Sequence, residues 1–337
     1  MKSLRVVNFI LLLFVALLEG CDKKDDLKKA KCPPFSIVPP SPYDDPIWHP
    51  DGEIIGFNHR PIKEVNYTYG YDCPQQATYI YEEDSAGFWL INKDGTNMRR
   101  VLPYYLYTPA WSPDGKWIAF MNGAQIYKMP FDGVRFDTSS VVQLTFEGRN
   151  FFPAFSPDGN LIAYDNTVCG SATTPIPPNS CGVLIMDADG QNKKFIGQGR
   201  YPYWDSGIQY LFTAGMKYKL TDSSAEKFFD FYENNLEGTY PFRFNPKGSQ
   251  IAFIGGGGPN VKKGDYFKLF TITPDGKNLK TISNNNIMNF AWSPDGKIVY
   301  LNFDYSRIDA TKGTLWTMDE DGGNQIQLTF NRFIETK

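Results

Sequence analysis

The stretch Pro109-Ala110-Trp111-Ser112-Pro113-Asp114-Gly115-Lys116-Trp117-Ile118-Ala119-Phe120 decides the fold. It joins two short apolar segments through Ser-Pro-Asp-Gly, a turn in which proline presets φ and glycine admits a positive φ. The second segment alternates, as a half-buried strand does. The unit is therefore an antiparallel hairpin, and it recurs. Pro46-Ile-Trp48-His-Pro-Asp51-Gly52 precedes it, and Pro153-Ala-Phe155-Ser-Pro-Asp158-Gly159 follows. A degenerate copy is Pro202-Tyr-Trp204-Asp-Ser-Gly207. Pro241-Phe-Arg-Phe244-Asn-Pro-Lys-Gly248 and Phe290-Ala-Trp292-Ser-Pro-Asp295-Gly296 complete the set. The repeat aromatics average about 49 residues apart, the spacing of propeller blades.

Each hairpin is followed by a third strand ending in an Asp-Gly turn, at Asp94-Gly95, Asp189-Gly190 and Asp321-Gly322. A fourth strand carries Gln143-Leu144-Thr145 or Gln327-Leu328-Thr329. No long helical period interrupts this grammar. The expectation is an all-β chain folded as a six-bladed β-propeller of four-stranded antiparallel blades over residues 46–330. The blades fall at about 46–102, 109–146, 153–197, 202–236, 241–283 and 290–330.

The composite pattern Trp-Ser-Pro-Asp-Gly-x-x-Ile-Ala-Phe, then Asp-Gly-x-Asn, then Gln-Leu-Thr resembles the WD-like repeat of TolB-type β-propellers. The resemblance spans the six copies and implies six blades and a surface that binds partners without catalysis. TolB itself carries an α/β domain ahead of its propeller. Here only residues 22–45 separate the leader from the first blade, so the resemblance extends to the propeller alone.

The N-terminus reads as an address. Lys2 and Arg5 precede a run over residues 6–18 whose one polar residue is Asn8, the layout of a secretory signal peptide over residues 1–20. Leu18-Glu19-Gly20-Cys21 resembles a bacterial lipobox, which implies lipidation of Cys21 and a lipidated tether over residues 21–45. Acyl chains on one cysteine would then hold the protein at a membrane. Lys24-Asp25-Asp26 resembles the acidic export signal of surface-exposed lipoproteins. The expected location is the bacterial cell envelope, lipid-anchored at the outer membrane. Removing Cys21 leaves Cys32, Cys73, Cys169 and Cys181, an even set that suggests two disulfides in an exported chain. Three pairings exist. Cys169–Cys181 is favoured because both flank one Pro-rich loop, and Cys32–Cys73 follows.

Strand order selects a face. If the first strand of each blade descends into Ser-Pro-Asp-Gly, the short turns lie at the bottom and the blade connections emerge on top. The long loops at residues 58–87, 165–182, 255–266 and 302–313 then gather on top as well, and insertions on one face mark a binding face. The connections supply the ligand-face candidates Tyr105, Arg149, Asn150, Arg200, Tyr201, Tyr240 and Asn286. Aromatics, Arg and Asn serve interface hot spots and sugar platforms alike.

Composition removes other classes. With 34 basic and 37 acidic side chains the net charge is −3, which gives no footprint for nucleic acid. Only two histidines exist, His49 and His59, which disfavours histidine-rich metal sites and most histidine acid–base chemistry. Oligogalacturonate lyases carry a similar repeat, but their sites gather several histidines around a metal. Of the two histidines, His59 alone stands in a plausible functional position, at the start of a top loop. The acidic stretches Asp187-Ala-Asp189-Gly190 and Asp319-Glu-Asp321-Gly322 sit where the grammar requires hairpin turns and lack the full calcium-loop pattern. No Gly-x-Ser-x-Gly elbow occurs. The sequence thus points to a non-enzymatic binding protein without cofactor or metal, whose partner is an envelope protein or peptide. The alternative is a cell-surface glycan-binding or glycan-processing protein.

Overall fold

The computed structural model describes residues 41–70, 73–168, 181–234, 236–237, 241–257, 267–283, 285–303 and 313–336. The leader, Cys21, Cys32, Cys169 and Tyr240 lie outside the described residues, as do much of the three later top loops.

Six antiparallel sheets succeed one another along the chain. Blade 1 opens with β1 (Tyr43–Trp48) and β2 (Ile54–His59). A hairpin of β3 (Ile62–Gly70) and β4 (Cys73–Tyr81) is inserted before β5 (Gly87–Asn92) and β6 (Arg99–Leu102) complete the sheet. Blade 2 is β7 (Tyr107–Trp111), β8 (Trp117–Asn122), β9 (Gln125–Pro130) and β10 (Val142–Gln143). Blade 3 is β11 (Asn150–Phe155), β12 (Leu161–Asn166), β13 (Gly182–Asp187) and β14 (Lys194–Gly197). Blade 4 is β15 (Tyr203–Trp204), β16 (Tyr210–Phe212), β17 (Met216–Lys219) and β18 (Ala225–Lys227). In blade 5, β19 (Leu236–Glu237) and β20 (Phe242–Phe244) both pair with β21 (Ile251–Gly257), followed by β22 (Lys268–Ile272) and β23 (Lys280–Thr281). Blade 6 is β24 (Asn286–Trp292), β25 (Ile298–Phe303), β26 (Thr314–Met318) and β27 (Ile326–Gln327). The last strand, β28 (Ile334–Thr336), pairs in parallel with β3. The fold is a six-bladed propeller of four-stranded antiparallel blades, all-β apart from two 3₁₀ turns among the described residues. No helix among them is long and apolar enough to cross a membrane.

The motifs explain the sheets. Ser112 Oγ donates to Asp114 Oδ1 at 2.6 Å and accepts from Trp117 N at 3.0 Å, which locks the turn between β7 and β8. Ser156 does the same with Asp158 and Leu161. In the degenerate fourth copy, Asp205 Oδ1 replaces the serine and accepts from Gln209 N and Tyr210 N. Asn245 does so in the fifth. The Gln-Leu-Thr motif ends the outer strand. Thr145 Oγ1 accepts from Ile126 N and Thr329 Oγ1 from Leu315 N, both at 2.9 Å. Each hydroxyl takes the place of a strand carbonyl that the ladder no longer supplies.

The core lies between blades. Ile47, Phe88 and Leu90 of blade 1 pack on Ile118 and Phe120 of blade 2. Equivalent clusters join blades 2 and 3, 3 and 4, 4 and 5, and 5 and 6. Another joins blade 6 to blade 1 through Tyr43, Phe57, Val299 and Leu315, so the ring closes. At about 25 cal/mol per Å² of buried apolar area, these interfaces rather than the ladders carry most of the stability. All four strands of blade 6 come from the C-terminal end, and among the described residues no strand is exchanged across its sheet.

Candidate functional site

The innermost strands enclose a cavity of about 620 Å³. Its lining follows the repeat. The residue three before each repeat aromatic forms an upper ring: Asp45, Thr108, Phe152, Tyr201, Pro241 and Asn289. The repeat aromatics Trp48, Trp111, Phe155, Trp204, Phe244 and Trp292 line the level below. Turn prolines Pro50, Pro157, Pro246 and Pro294 lie at the lower end.

A bulge places the upper ring. Register shifts interrupt β1, β7 and β11 just before the repeat aromatic. Asp45, Thr108, Phe152 and Tyr201 there adopt φ values of 48°, 48°, 52° and 56°. Left-handed backbone is uncommon outside glycine. Its recurrence in four blades marks a device of the fold, one that turns the incoming chain toward the axis.

Two blades hook the next at this level. Asn58 at the end of β2 donates from Nδ2 to Leu106 O at 2.7 Å and accepts from Leu106 N at 2.9 Å. Asp165, its equivalent on β12, accepts from Arg200 Nε and Tyr201 N, both at 3.2 Å, on Oδ2. Asp165 is fully buried, and its Oδ1 has no hydrogen-bond partner. Burial raises its carboxyl above the ordinary range, and Arg200 opposes the rise. Arg200 also lies 5.0 Å from the Tyr201 ring centroid, and the Tyr201 and Phe152 rings meet edge-on at 4.5 Å.

The opposite side of the mouth is acidic. Asp45 Oδ2 accepts from Thr108 N at 3.2 Å and Asn58 Nδ2 at 3.3 Å, and Oδ1 accepts from Asn289 Nδ2 at 3.1 Å. Its neighbour Asp44, exposed at the mouth, accepts from Asp45 N at 2.8 Å. Burial and then the Asp44 charge push the Asp45 carboxyl up to about 7.

The expected ligand-face residues divide. Tyr201 lines the cavity and Arg200 flanks it. Arg149 is exposed on the blade 2–3 connection. Tyr105 stands to one side, edge-on to Tyr107 with centroids 6.1 Å apart. Asn286 is half-buried at the start of β24. Asn150 is 1% exposed, with its amide donating to Gln125 Oε1 and Glu147 O. Its polar group is therefore committed inside the loop and not presented to the mouth. His59 is corrected in the same way. It is 6% exposed, stacks on Tyr43 at 4.1 Å and bonds Pro42 O through Nδ1 at 2.8 Å. Burial lowers its pKa to about 4. His49 bonds Gly115 O and links the bottom turns of blades 1 and 2. In the two acidic turns, Asn192 and Asn324 donate to Asp187 and Asp319 at 2.5 Å, inside the hairpins. Among the described residues no three of His, Cys, Asp and Glu gather as a metal site. Cys181 lies directly ahead of β13.

Asp44, Asp45, Thr108, Phe152 and Asn289 are mouth residues absent from the sequence-derived set. Their signal is positional: counting three back from each repeat aromatic finds the upper ring, and Asp44 is its neighbour.

No known family profile matches the chain. An uncharacterized protein of Agrobacterium fabrum is 23% identical over 264 residues, covering 64% of this chain and 85% of that one. Among solved structures, a protein of Agrobacterium tumefaciens provisionally named TolB superposes with a TM-score of 0.52 at 19% identity. The match covers 69% of this chain and 84% of that one. An oligogalacturonate lyase in complex with manganese gives a TM-score of 0.49 at 10% identity, over 84% of this chain and 76% of that one. The chain has the TolB-type propeller fold, and the likeness is one of fold.

Proposed function

We propose that this chain is a non-enzymatic binding module of the bacterial cell envelope, which holds a protein or peptide partner at the top face and the channel mouth. The observation that carries the reading is the cavity. It is built by all six blades, it mixes carboxylate, hydroxyl, amide and aromatic groups in one ring, and its volume lies in the range of ligand sites. In this reading Cys21 carries the lipid anchor at the outer membrane. Cys169–Cys181 and Cys32–Cys73 would stiffen the loops around the mouth.

The test is cross-linked co-purification from solubilised envelope, comparing wild type with Ala110→Trp. Ala110 lines the cavity, so the larger ring fills it without removing a polar contact. A stoichiometric protein recovered with wild type and lost with the folded variant is the expected result. Equal recovery from both, or no specific protein from either, overturns the reading.

One observation favours glycan binding as a second reading. Tyr104 and Tyr107 are 41% and 48% exposed on one top connection, flanking Tyr105. Exposed rings of this kind form sugar platforms. A glycan array that lights up for wild type and goes dark for a Tyr104→Ala/Tyr107→Ala variant would select it.

A further inference from the structure

Among the described residues, the charged groups that line the cavity are Asp44, Asp45 and Arg243. Once Asp45 ionises, above about pH 7, two carboxylates face one guanidinium and the lining is short of one positive charge. The three hydrogen bonds that hold the Asp45 carboxylate come from neutral donors on Asn58, Thr108 and Asn289. They fix its position without adding a charge, and Arg243 is the cation of the lining that opposes its charge. Asp44 brings a second carboxylate beside it, at the exposed lip.

A second feature of the same strand is independent of charge. Trp48 lies three residues beyond Asp45, lines the same cavity and is 7% exposed, and its Nε1 has no hydrogen-bond partner. The equivalent indoles of Trp204 and Trp292 donate to Ala154 O and Arg243 O on the preceding blade, whereas that of Trp111, like that of Trp48, has no partner. A buried donor without an acceptor is costly, by about 1–3 kcal/mol. A ligand carbonyl would satisfy it.

We infer that the mouth selects a basic side chain, lysine or arginine, carried on an extended polypeptide segment. Its cationic head would lie between Asp44 and Asp45, and its backbone would run past Trp48. The inference rests on the partner-binding reading above and names the group that reading would recognise.

The probe is n-butylammonium, with n-butyrate as the charge-reversed control, followed by tryptophan fluorescence. Trp48, Trp111, Trp204 and Trp292 all line the cavity and report its occupancy. Saturable butylammonium binding in the millimolar range is expected for so small a fragment. Butyrate should give none. Asp44→Asn should weaken butylammonium at least about tenfold, and Asp44→Glu, which keeps the charge, should restore it. Butyrate binding as well as butylammonium, no saturation by butylammonium, or an unchanged affinity in folded Asp44→Asn each overturns the inference. The partner reading is judged separately. Selective butylammonium binding with no co-purified protein would keep the cation site and remove the protein partner.

Discussion

Asn289 Nδ2 donates to Asp45 Oδ1 at 3.1 Å, and this bond crosses the seam between the last blade and the first. The same seam holds the apolar cluster of Tyr43 and Phe57 with Val299, Leu301 and Leu315. Ser41 Oγ reaches Gly313 O at 3.3 Å beside it. The ring therefore closes by side-chain packing and a short N-terminal strap. The parallel pairing of β28 with β3 adds a clasp at the top, where Ile334 remains 65% exposed.

Closure should accordingly depend on packing more than on the clasp. Deleting residues 334–337 is expected to cost about 1 kcal/mol, since it removes a few ladder bonds and little burial. Tyr43→Ala should cost about 3–5 kcal/mol, as large aromatic truncations do. Urea denaturation of the two variants checks the order. A deletion as damaging as Tyr43→Ala would show that the clasp closes the ring.

Asp45 makes stability depend on pH in an unusual direction. Its folded pKa is raised to about 7 from an ordinary 3.8, so between those values the folded state holds a proton that the unfolded chain releases. This contribution is complete below about pH 4 and is lost as pH rises through 7. Asp45→Asn should abolish that decline. Thermal melts of the two proteins across pH 4–8 should diverge most at the alkaline end.

His59 opposes it. Its folded pKa falls to about 4 from 6.5, so acid protonates the unfolded chain first. Stability present above pH 6.5 is lost as pH falls toward 4, by an amount on the order of 3 kcal/mol. The two slopes offset each other over pH 4–6.5 in wild type. Asp45→Asn should therefore expose a clear acid lability, whereas a flat profile in that variant would contradict a buried neutral His59.

The repeat was legible because its turn chemistry is local. Ser112, Ser156 and Ser293 each bond an aspartate two residues on, so a four-residue pattern carries the whole hairpin. The degenerate blade 4 remained readable because Asp205 reproduces the serine's acceptor. The mouth was only partly legible. Tyr201 and Arg200 stood out by residue type, whereas the upper ring is Asp, Thr, Phe, Tyr, Pro and Asn in turn, a position with no fixed chemistry. Asn150 looked like a ligand group because sequence does not show where an amide points. The clasp joins segments some 270 residues apart, as the pairing of Ile334 with Glu64 shows, and no local pattern announces it.

Arg200 is a positioning residue for the mouth, because it accompanies the fully buried carboxylate of Asp165. Arg200→Gln would leave that carboxylate without its cation and raise its pKa further. Arg200 is itself half exposed, so the loss should be about 1–3 kcal/mol at pH 8, below that of a fully buried pair. It should shrink toward pH 4, where the carboxyl takes up a proton. Adding Asp165→Asn to Arg200→Gln should recover most of the loss, and denaturant curves of the single and double variants test this.

The bottom face carries a steric requirement that turn propensity alone underestimates. Gly322 and Gly276 adopt φ of +89° and +78° in the Asp-Gly turns. A Cβ on either would lie 1.8 Å from a backbone carbonyl of the preceding blade, Ile282 O or Phe228 O. These glycines thus serve the contact between blades as well as the hairpin. A carbonyl in a packed ring has no room to retreat, so the substitution must push two blades apart. Gly322→Ala is expected to cost at least about 2 kcal/mol, above the cost of a strained φ alone. Gly133→Ala is the comparison, since its φ is +95° and nothing lies within 4 Å of its Cβ position. If the two variants lose equal stability in urea, backbone strain accounts for both and the inter-blade contact contributes nothing.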